Sequence, residues 1–502
     1  MGGDDSPARR SSLATILRGG SLYTVGKVAF DIGEFLLHLL VSRWLGAGPY
    51  GLFAYGKTLA FTALLVTNFG SDKSILRYLP QYAGDPPRRR FLLALAWLTS
   101  ILGASIVAGG LFVAAPTVNA LTLEESAFVG VLRLFAVILF LDTIANLLYA
   151  TFRALELIEY EVLSKRLFKP LMRVTCVGLA LLGGVSVFGV VAAMVVASVL
   201  TLGLAGYLFS TRTEIRPQLR SPAATRETVR GYYNYSLPLS AKEAGTLLQG
   251  RLDVLLVGVF LSATAVGIYN IAVLLAGVLY IPLLAANQLF APVASRLYSR
   301  EHRADLEAVY SAVTRWIFTI SLLLTLFIAT FRTELLGLFG SQFTAGTTVL
   351  LLLLFGQLCN AATGPSGYLL MMTDHQYVVM ANEWVFGIAN AVLTVIFIQL
   401  YGLVGAAMAS AGVLAVRNLT KLLEVRYLER MTPYSRAYYK PVSAGALTAL
   451  ALYSTQWITP SDWVGVVIGG LTAIVIYAGT LRALGLEAID AELYADLLDR
   501  SP

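Results

Sequence analysis

The run VSVFGVVAAMVVASVLTLGLAGYLF at residues 185–209 contains no charged side chain. A helix needs about 20 mostly apolar residues to cross the hydrocarbon core of a bilayer. This run is therefore predicted to be a transmembrane helix. The whole chain shares the bias, with 57% hydrophobic and 13% charged residues and a mean hydropathy of +0.72. Ordinary globular domains carry about 25% charged residues, so the composition predicts an all-α integral membrane protein.

Comparable apolar runs recur along the chain, and they predict about fourteen spanning helices. The first six lie at 25–45, 52–69, 91–115, 128–150, 167–182 and 185–209. The next six lie at 237–260, 266–289, 312–330, 349–370, 379–400 and 404–422, and a final pair lies at 441–457 and 463–481.

The net charge of +7 is spread over short basic clusters between the apolar runs. Most of these clusters fall on alternate loops or at the chain ends, the pattern of cytoplasmic loops in membrane proteins. We therefore expect both termini to be cytoplasmic and the protein to lie in the cell membrane. The basic residues form no single face, so nucleic-acid binding is not predicted.

A weak internal repeat divides the chain. The first helix opens with Ser21-Leu22 and the seventh with Ser236-Leu237, and the turns that follow read Gly51-Leu-Phe and Gly267-Ile-Tyr. Such repeats are common in transporters. The predicted organisation is a cytoplasmic arm at 1–20, pseudo-symmetric six-helix lobes at 21–215 and 216–430, and a segment at 431–502 with the last helix pair and a cytoplasmic tail.

The first helix carries ionisable residues on one face. Counting from Lys27, three more residues follow at i+4, i+7 and i+11, namely Asp31, Glu34 and His38. Helical geometry places all four within an arc of about 60°. Ionisable groups at membrane depth usually face a bundle interior or a water-filled cavity. The alternative is that Lys27 extends to the cytoplasmic surface and pairs with a nearby carboxylate.

The seventh helix repeats this spacing with Lys242, Thr246, Gln249 and Asp253, and Arg251 lies on another face. We use the name stripe for each of these two rows of polar residues, Lys27 to His38 and Lys242 to Asp253. Two such stripes predict the walls of one central cavity. Lys27, Lys242 and Arg251 suit an anionic group such as a phosphate. The stripe acids and His38 suit a coupling cation, either Na⁺ or H⁺, and the coupling-ion candidates are Asp31, Glu34, Asp253 and Glu383.

Further polar residues within apolar runs are candidates for the same cavity. Interhelical hydrogen bonding is the alternative for each. They are Lys57, Asn287, Gln357 and Asn360, with Asp142, Asn146 and Asn390 as secondary candidates.

The chain lacks the sequence signatures of common catalytic and metal sites. It contains no Gly-rich phosphate loop, no HExxH and no paired Cys/His set. We therefore predict no metal, no cofactor beyond a coupling cation, no nucleotide hydrolysis and no enzymatic activity.

Several segments resemble a known family. They are WLGAGPYGLFA at 44–54, RLDVLLVGVFL at 251–261 and VGIYN at 266–270. Together they are similar to polysaccharide and lipid-linked oligosaccharide flippases of the multidrug, oligosaccharidyl-lipid and polysaccharide exporter superfamily. The resemblance implies a MATE-like pair of six-helix lobes and alternating access, and Asp253 stands where the family commonly has an Asp. The stripe from Lys27 to His38 matches no family motif.

The resemblance implies a flippase for a polyprenyl-phosphate-linked oligosaccharide, moved from the cytoplasmic to the outer leaflet. Its product would serve surface polysaccharide or glycoprotein assembly. Expected partners are the isoprenoid-linked oligosaccharide, membrane lipids and glycan-assembly enzymes, and the expected state is a monomer. The alternatives are a cation-coupled multidrug extruder of the same fold and a membrane glycosyltransferase or polymerase.

Overall fold

The computed structural model describes residues 7–458, 463–485 and 487, and it describes side chains for 25–240, 251–455, 463–485 and 487. Of the described chain 87% is helical, and none of that part forms a strand. The predicted all-α membrane fold is confirmed. The chain divides into two compact units, Met1–Gly267 and Ile268–Pro502, which are described separately. The lobe boundaries expected from the repeat remain predictions.

Over residues 7–260, unit 1 contains ten α-helices, and a π-helical segment, Val162–Phe168, joins two of them. The α-helices are α1 (Pro7–Leu45), α2 (Ala47–Thr67), α3 (Ser71–Gln81), α4 (Pro86–Ala120), α5 (Ser126–Ala154), α6 (Ile158–Glu161), α7 (Lys169–Leu182), α8 (Val187–Arg212), α9 (Arg226–Gly250) and α10 (Leu252–Phe260). Helix α11 (Ala263–Gly277) contains the boundary between the units.

In its described residues, unit 2 continues with eight α-helices and short 3₁₀ turns at Val278–Tyr280, Ser341–Gly346 and Arg436–Tyr438. The α-helices are α12 (Ile281–Ser299), α13 (Arg303–Thr330), α14 (Arg332–Gly337), α15 (Thr347–Thr363), α16 (Ser366–Met372), α17 (Gln376–Leu428), α18 (Tyr439–Ile458) and α19 (Trp463–Ala483).

Within the described ranges, nine helical segments are long and apolar enough to cross a membrane. Each predicted apolar run lies mainly on helix, and the count of about fourteen spans remains a prediction. Helix α17 holds two of these runs, and Gly402 separates them with a φ of 59° and a ψ of −135°. Lys421 Nζ lies 2.6 Å from Oε1 of Glu383. The two arms of α17 therefore run antiparallel from Gly402.

Close helix contacts in unit 1 occur at glycines. A Cβ on Gly33 of α1 would lie 2.5 Å from Cβ of Pro170 in α7, and one on Gly56 of α2 would lie 2.6 Å from Cδ2 of Phe135 in α5. Without side chains at these points, the helix backbones approach closely. The residue after each glycine is charged, Glu34 and Lys57 respectively. Both charges are thus held inside the helix bundle of unit 1.

A third glycine contact joins equivalent positions of the predicted repeat. A Cβ on Gly51 would lie 1.7 Å from the carbonyl oxygen of Ala263, and a Cβ on Gly267 would lie 2.2 Å from that of Ala47. Ala263 lies four positions before Gly267, and Ala47 lies four positions before Gly51. Each glycine therefore packs against the helical turn that precedes the other glycine, so α2 and α11 make equivalent contacts where they cross. Any side chain at either glycine would separate these backbones.

Candidate functional site: a buried ionic network in unit 1

Glu34 of α1 joins two other helices through its carboxylate. Oε2 accepts a hydrogen bond from Nζ of Lys57 in α2 at 2.5 Å, and Oε1 accepts from Nη1 of Arg173 in α7 at 2.8 Å. Both oxygens are therefore engaged by cations. Charge-assisted hydrogen bonds of this kind are roughly twice as strong as neutral ones.

Arg173 extends the network to α5. Its Nη2 donates to Oδ2 of Asp142 at 3.1 Å, and Nζ of Lys169, one turn earlier on α7, lies 2.9 Å from the same oxygen. The guanidinium therefore bridges Glu34 and Asp142. We use the name ionic network for these five residues, Glu34, Lys57, Asp142, Lys169 and Arg173.

His38 and Tyr50 extend the network at Lys57. Nζ of Lys57 lies 3.0 Å from Nε2 of His38, and Nδ1 of His38 lies 2.8 Å from the Tyr50 hydroxyl. The His38 ring also packs edge-on against Phe53, with ring centroids 5.9 Å apart. His38 is 8% exposed, so this end of α1 is enclosed by α2.

The charges of the ionic network do not cancel. Lys57, Lys169 and Arg173 carry three positive charges, and the two carboxylates carry two negative ones. Removing one partner of a buried ion pair costs about 3–5 kcal/mol, because a charge is left uncompensated. The exposed fraction of the side chain is 24% for Lys57 and 19% for Glu34, against 8% for Arg173. A cluster with excess positive charge and one accessible end can bind an anion.

The predicted stripe on α1 has two parts. Lys27 pairs with Asp31 at 2.6 Å, and their side chains are 44% and 53% exposed. Glu34 and His38 instead point into the bundle beside Lys57. The deeper half of the stripe thus belongs to the ionic network, whereas the shallower half forms a local i,i+4 pair.

The predicted residues of the seventh helix are only partly described. The side chains of Lys242 and Gln249 lie outside the described residues. Asp253 lies in the first turn of α10, and its Oδ1 accepts from the backbone N–H of Val254 at 2.8 Å. Arg251 is exposed at the junction of α9 and α10, close enough for its charge to act on His38.

Unit 2 holds the remaining candidates. Glu383 accepts from Lys421 at 2.6 Å and from Arg417 at 3.3 Å, which links the arms of α17. Asn287 and Gln357 bury side-chain oxygens that find no hydrogen-bond partner within the described part of the chain. Asn360 is half-buried, and its backbone oxygen accepts from the Thr363 hydroxyl. Whether these residues act in transport remains a prediction.

Lys169 and Arg173 are central residues that the sequence analysis did not select. Both fall inside the predicted fifth span at 167–182, for which no candidate residue was named. Their spacing of i and i+4 on one helix face was the available signal. Asp142 was a secondary candidate, and its partners could not be read from the sequence.

These features define a multi-pass α-helical membrane protein whose first unit encloses an ionic network with excess positive charge. Sequence comparison places the chain more narrowly. The chain belongs to the polysaccharide biosynthesis protein family, whose model matches residues 16–298. The family resemblance found in the sequence is confirmed.

Two relatives are similar to this chain in sequence. The probable low-salt glycan biosynthesis flippase Agl15 of Haloferax volcanii is 27% identical over 221 residues, a region covering 43% of this chain and 45% of Agl15. The match therefore spans less than half of that relative. An uncharacterized membrane protein of Methanocaldococcus jannaschii, MJ1068, is 22% identical over 423 residues, covering 79% of this chain and 82% of the relative.

Solved structures share the fold. The lipid II flippase MurJ in an inward closed conformation superposes with a TM-score of 0.69 at 13% identity, covering 96% of this chain and all of MurJ. An inward-facing multidrug resistance MATE family transporter of the MOP superfamily gives 0.62 at 17% identity, with coverages of 81% and 98%. At these identities the likeness concerns the fold alone.

Proposed function

We propose that the protein is a flippase for a polyprenyl-phosphate-linked oligosaccharide. It moves this lipid from the cytoplasmic to the outer leaflet by alternating access, for surface polysaccharide or glycoprotein assembly. The ionic network of unit 1 binds the phosphate of the substrate. The polyprenyl tail stays in the bilayer, since burying it in protein would gain little over lipid.

The observation that carries this proposal is the excess positive charge of the ionic network, together with the partial exposure of Lys57 and Glu34 at one end of it. Lys57 Nζ has three N–H donors, and Glu34 and His38 engage two of them. A phosphate oxygen can take the third donor, or it can replace Glu34 or His38 at Lys57. The phosphate then compensates the unbalanced charge in a region of low dielectric, where such attraction is strong.

The comparisons support the same class of substrate. Agl15 is described as a glycan biosynthesis flippase, and the family model concerns polysaccharide biosynthesis. We further propose a monomer in the cell membrane with both termini cytoplasmic, because the basic loops alternate along the chain. Glycan-assembly enzymes are its proposed partners.

The proposal is tested by leaflet exchange in proteoliposomes. A fluorescent polyprenyl-diphosphate oligosaccharide is placed in the inner leaflet, and its appearance outside is followed with a membrane-impermeant quencher. Wild type and Arg212→Gln, a change at an exposed arginine of α8, are expected to exchange the lipid at similar rates. Lys57→Gln is expected to exchange it at least about tenfold more slowly, the effect of losing 1.4 kcal/mol or more of binding.

A multidrug extruder of the same fold predicts a different result. Proteoliposomes would then expel a cationic dye without exchanging the lipid, and Lys57→Gln would not slow the dye. That outcome would replace the flippase assignment.

A further inference from the structure

The contacts of His38 define its tautomer. A lysine ammonium carries three donors and no acceptor, so the nitrogen that faces Lys57 must accept. Nε2 of His38, 3.0 Å from Lys57 Nζ, is therefore unprotonated. The ring proton resides on Nδ1, which donates to the Tyr50 hydroxyl at 2.8 Å. This assignment follows from the partners and gives a neutral imidazole.

A proton on Nε2 is incompatible with this contact. Two donors would then face each other across 3.0 Å, and two positive charges would adjoin. The other groups whose charge or dipole acts on the ring are Tyr50 of α2, Glu34 on its own helix, Arg173 of α7 and Arg251 at the junction of α9 and α10. Three cations thus oppose protonation, and one carboxylate favours it.

An anion bound at Lys57 changes the electrostatic balance around His38 from one that opposes protonation of the ring to one that favours it. Its negative charge offsets the cations around the ring, and its oxygens attract the ammonium away from Nε2. Nε2 is then left as a buried acceptor without its donor, which is costly unless it gains a proton. The anion and the proton therefore favour each other at adjacent sites.

We propose that His38 is a proton-binding site coupled to the anionic substrate, so that substrate phosphate and one proton bind together. This inference rests on the proposed function, because it requires an anion at Lys57. One proton from water adds to the lone pair of Nε2, and one N–H donor of Lys57 moves from Nε2 to a phosphate oxygen. No other covalent bond forms or breaks. Because linkage is reciprocal, acidification strengthens substrate binding by the factor by which substrate strengthens proton binding.

Calorimetry of purified protein in detergent tests the proposal. Geranylgeranyl diphosphate serves as the probe and is titrated near neutral pH in two buffers of different ionisation enthalpy, which yields the protons taken up per probe bound. Wild type is expected to take up more protons than His38→Gln, by up to about one per probe. The variant comparison removes the contribution of the probe's own titration.

The chain offers matched controls because it contains three histidines. His302 lies 3.4 Å from Asp305, and His375 lies 3.4 Å from Glu429, both in unit 2. His302→Gln and His375→Gln are expected to keep the wild-type proton uptake. Equal uptake by wild type and His38→Gln would overturn the proposal. Failure of wild type to bind the probe would instead overturn the flippase assignment.

A second measurement needs no change at His38. In protein labelled with ¹⁵N-histidine, the two control variants identify the His302 and His375 signals, and the remaining signals belong to His38. Nε2 of His38 is expected to shift from an unprotonated to a protonated nitrogen frequency when the probe binds. An Nε2 signal that stays unprotonated with saturating probe would contradict the proposal.

Discussion

Nη1 of Arg173 lies 2.8 Å from Oε1 of Glu34, which connects helices α7 and α1. The same guanidinium donates to Asp142 on α5. One side chain therefore holds three helices of unit 1 at membrane depth. Its two carboxylate partners compensate its charge, and Lys57 and Lys169 then give the ionic network its net positive charge.

Removal of Arg173 is predicted to destabilise the protein. Arg173→Met leaves Glu34 and Asp142 with one cation each but removes two charge-assisted hydrogen bonds, each worth about 1.5–3 kcal/mol, and we expect a loss of about 3–6 kcal/mol. The double variant Arg173→Met with Asp142→Asn is expected to lose less than the sum of the single changes, by about 1–3 kcal/mol. Denaturant unfolding in detergent micelles measures these values, and additive losses would show that the two side chains do not interact.

The contact of α1 with α7 is predicted to tolerate no side chain at Gly33. Gly33→Ala places a methyl group against Pro170, and overpacking of this kind costs about 1–3 kcal/mol. Gly178→Ala on α7 is the control, since a Cβ there meets nothing within 4 Å. The midpoint of thermal unfolding should fall for the first variant and stay unchanged or rise for the second. Equal midpoints would mean that α1 and α7 are less closely packed than described.

The reversal in α17 is predicted to require glycine for its backbone conformation. A Cβ on Gly402 meets no atom within 4 Å, so Gly402→Ala causes no steric clash with neighbouring side chains. Any loss of stability in this variant therefore comes from the backbone conformation at this position, a φ of 59° and a ψ of −135°. Such strain costs about 1–3 kcal/mol. Gly412→Ala, at another open position of the same helix, should be tolerated. Unfolding midpoints compare the two, and a stable Gly402→Ala variant would argue against the sharp reversal.

Lys165 is predicted to give a pH-dependent stability. It precedes the apolar run at 167–182, and burial, followed by nearby Lys169, Arg153 and Arg166, lowers its pKa from 10.5 to about 8, against the opposing effect of Glu161. A lowered lysine pKa means that the unfolded chain binds this proton more tightly. The charged lysine therefore disfavours folding below pH 8, and this penalty disappears as the pH rises from about 8 to 10.5.

The measurement is the unfolding midpoint of Lys165→Met against wild type across that pH range. The variant should be the more stable protein at neutral pH, and its advantage should vanish near pH 10.5. A difference that does not change with pH would show that Lys165 titrates normally.

The sequence was sufficient for the fold class because long apolar runs determine which segments lie in lipid. The sequence also predicted that Glu34 and His38 point in a similar direction, since helical periodicity places them on one face of α1. Periodicity describes one helix at a time, however, and does not reveal which helix packs opposite. Arg173 lies 139 positions from Glu34 in the chain, so their pairing emerged only from the packing of α7 at Gly33.

Equilibrium binding of a fluorescent polyprenyl diphosphate to the purified protein tests the central claim most directly. We predict that Lys57→Gln weakens binding by about 10- to 100-fold, the loss expected for about 1.4–3 kcal/mol from a charge-assisted hydrogen bond. Lys57→Arg should restore most of the affinity, and Arg212→Gln should bind like wild type. Wild-type affinity in Lys57→Gln would contradict the assignment of the ionic network as the phosphate site.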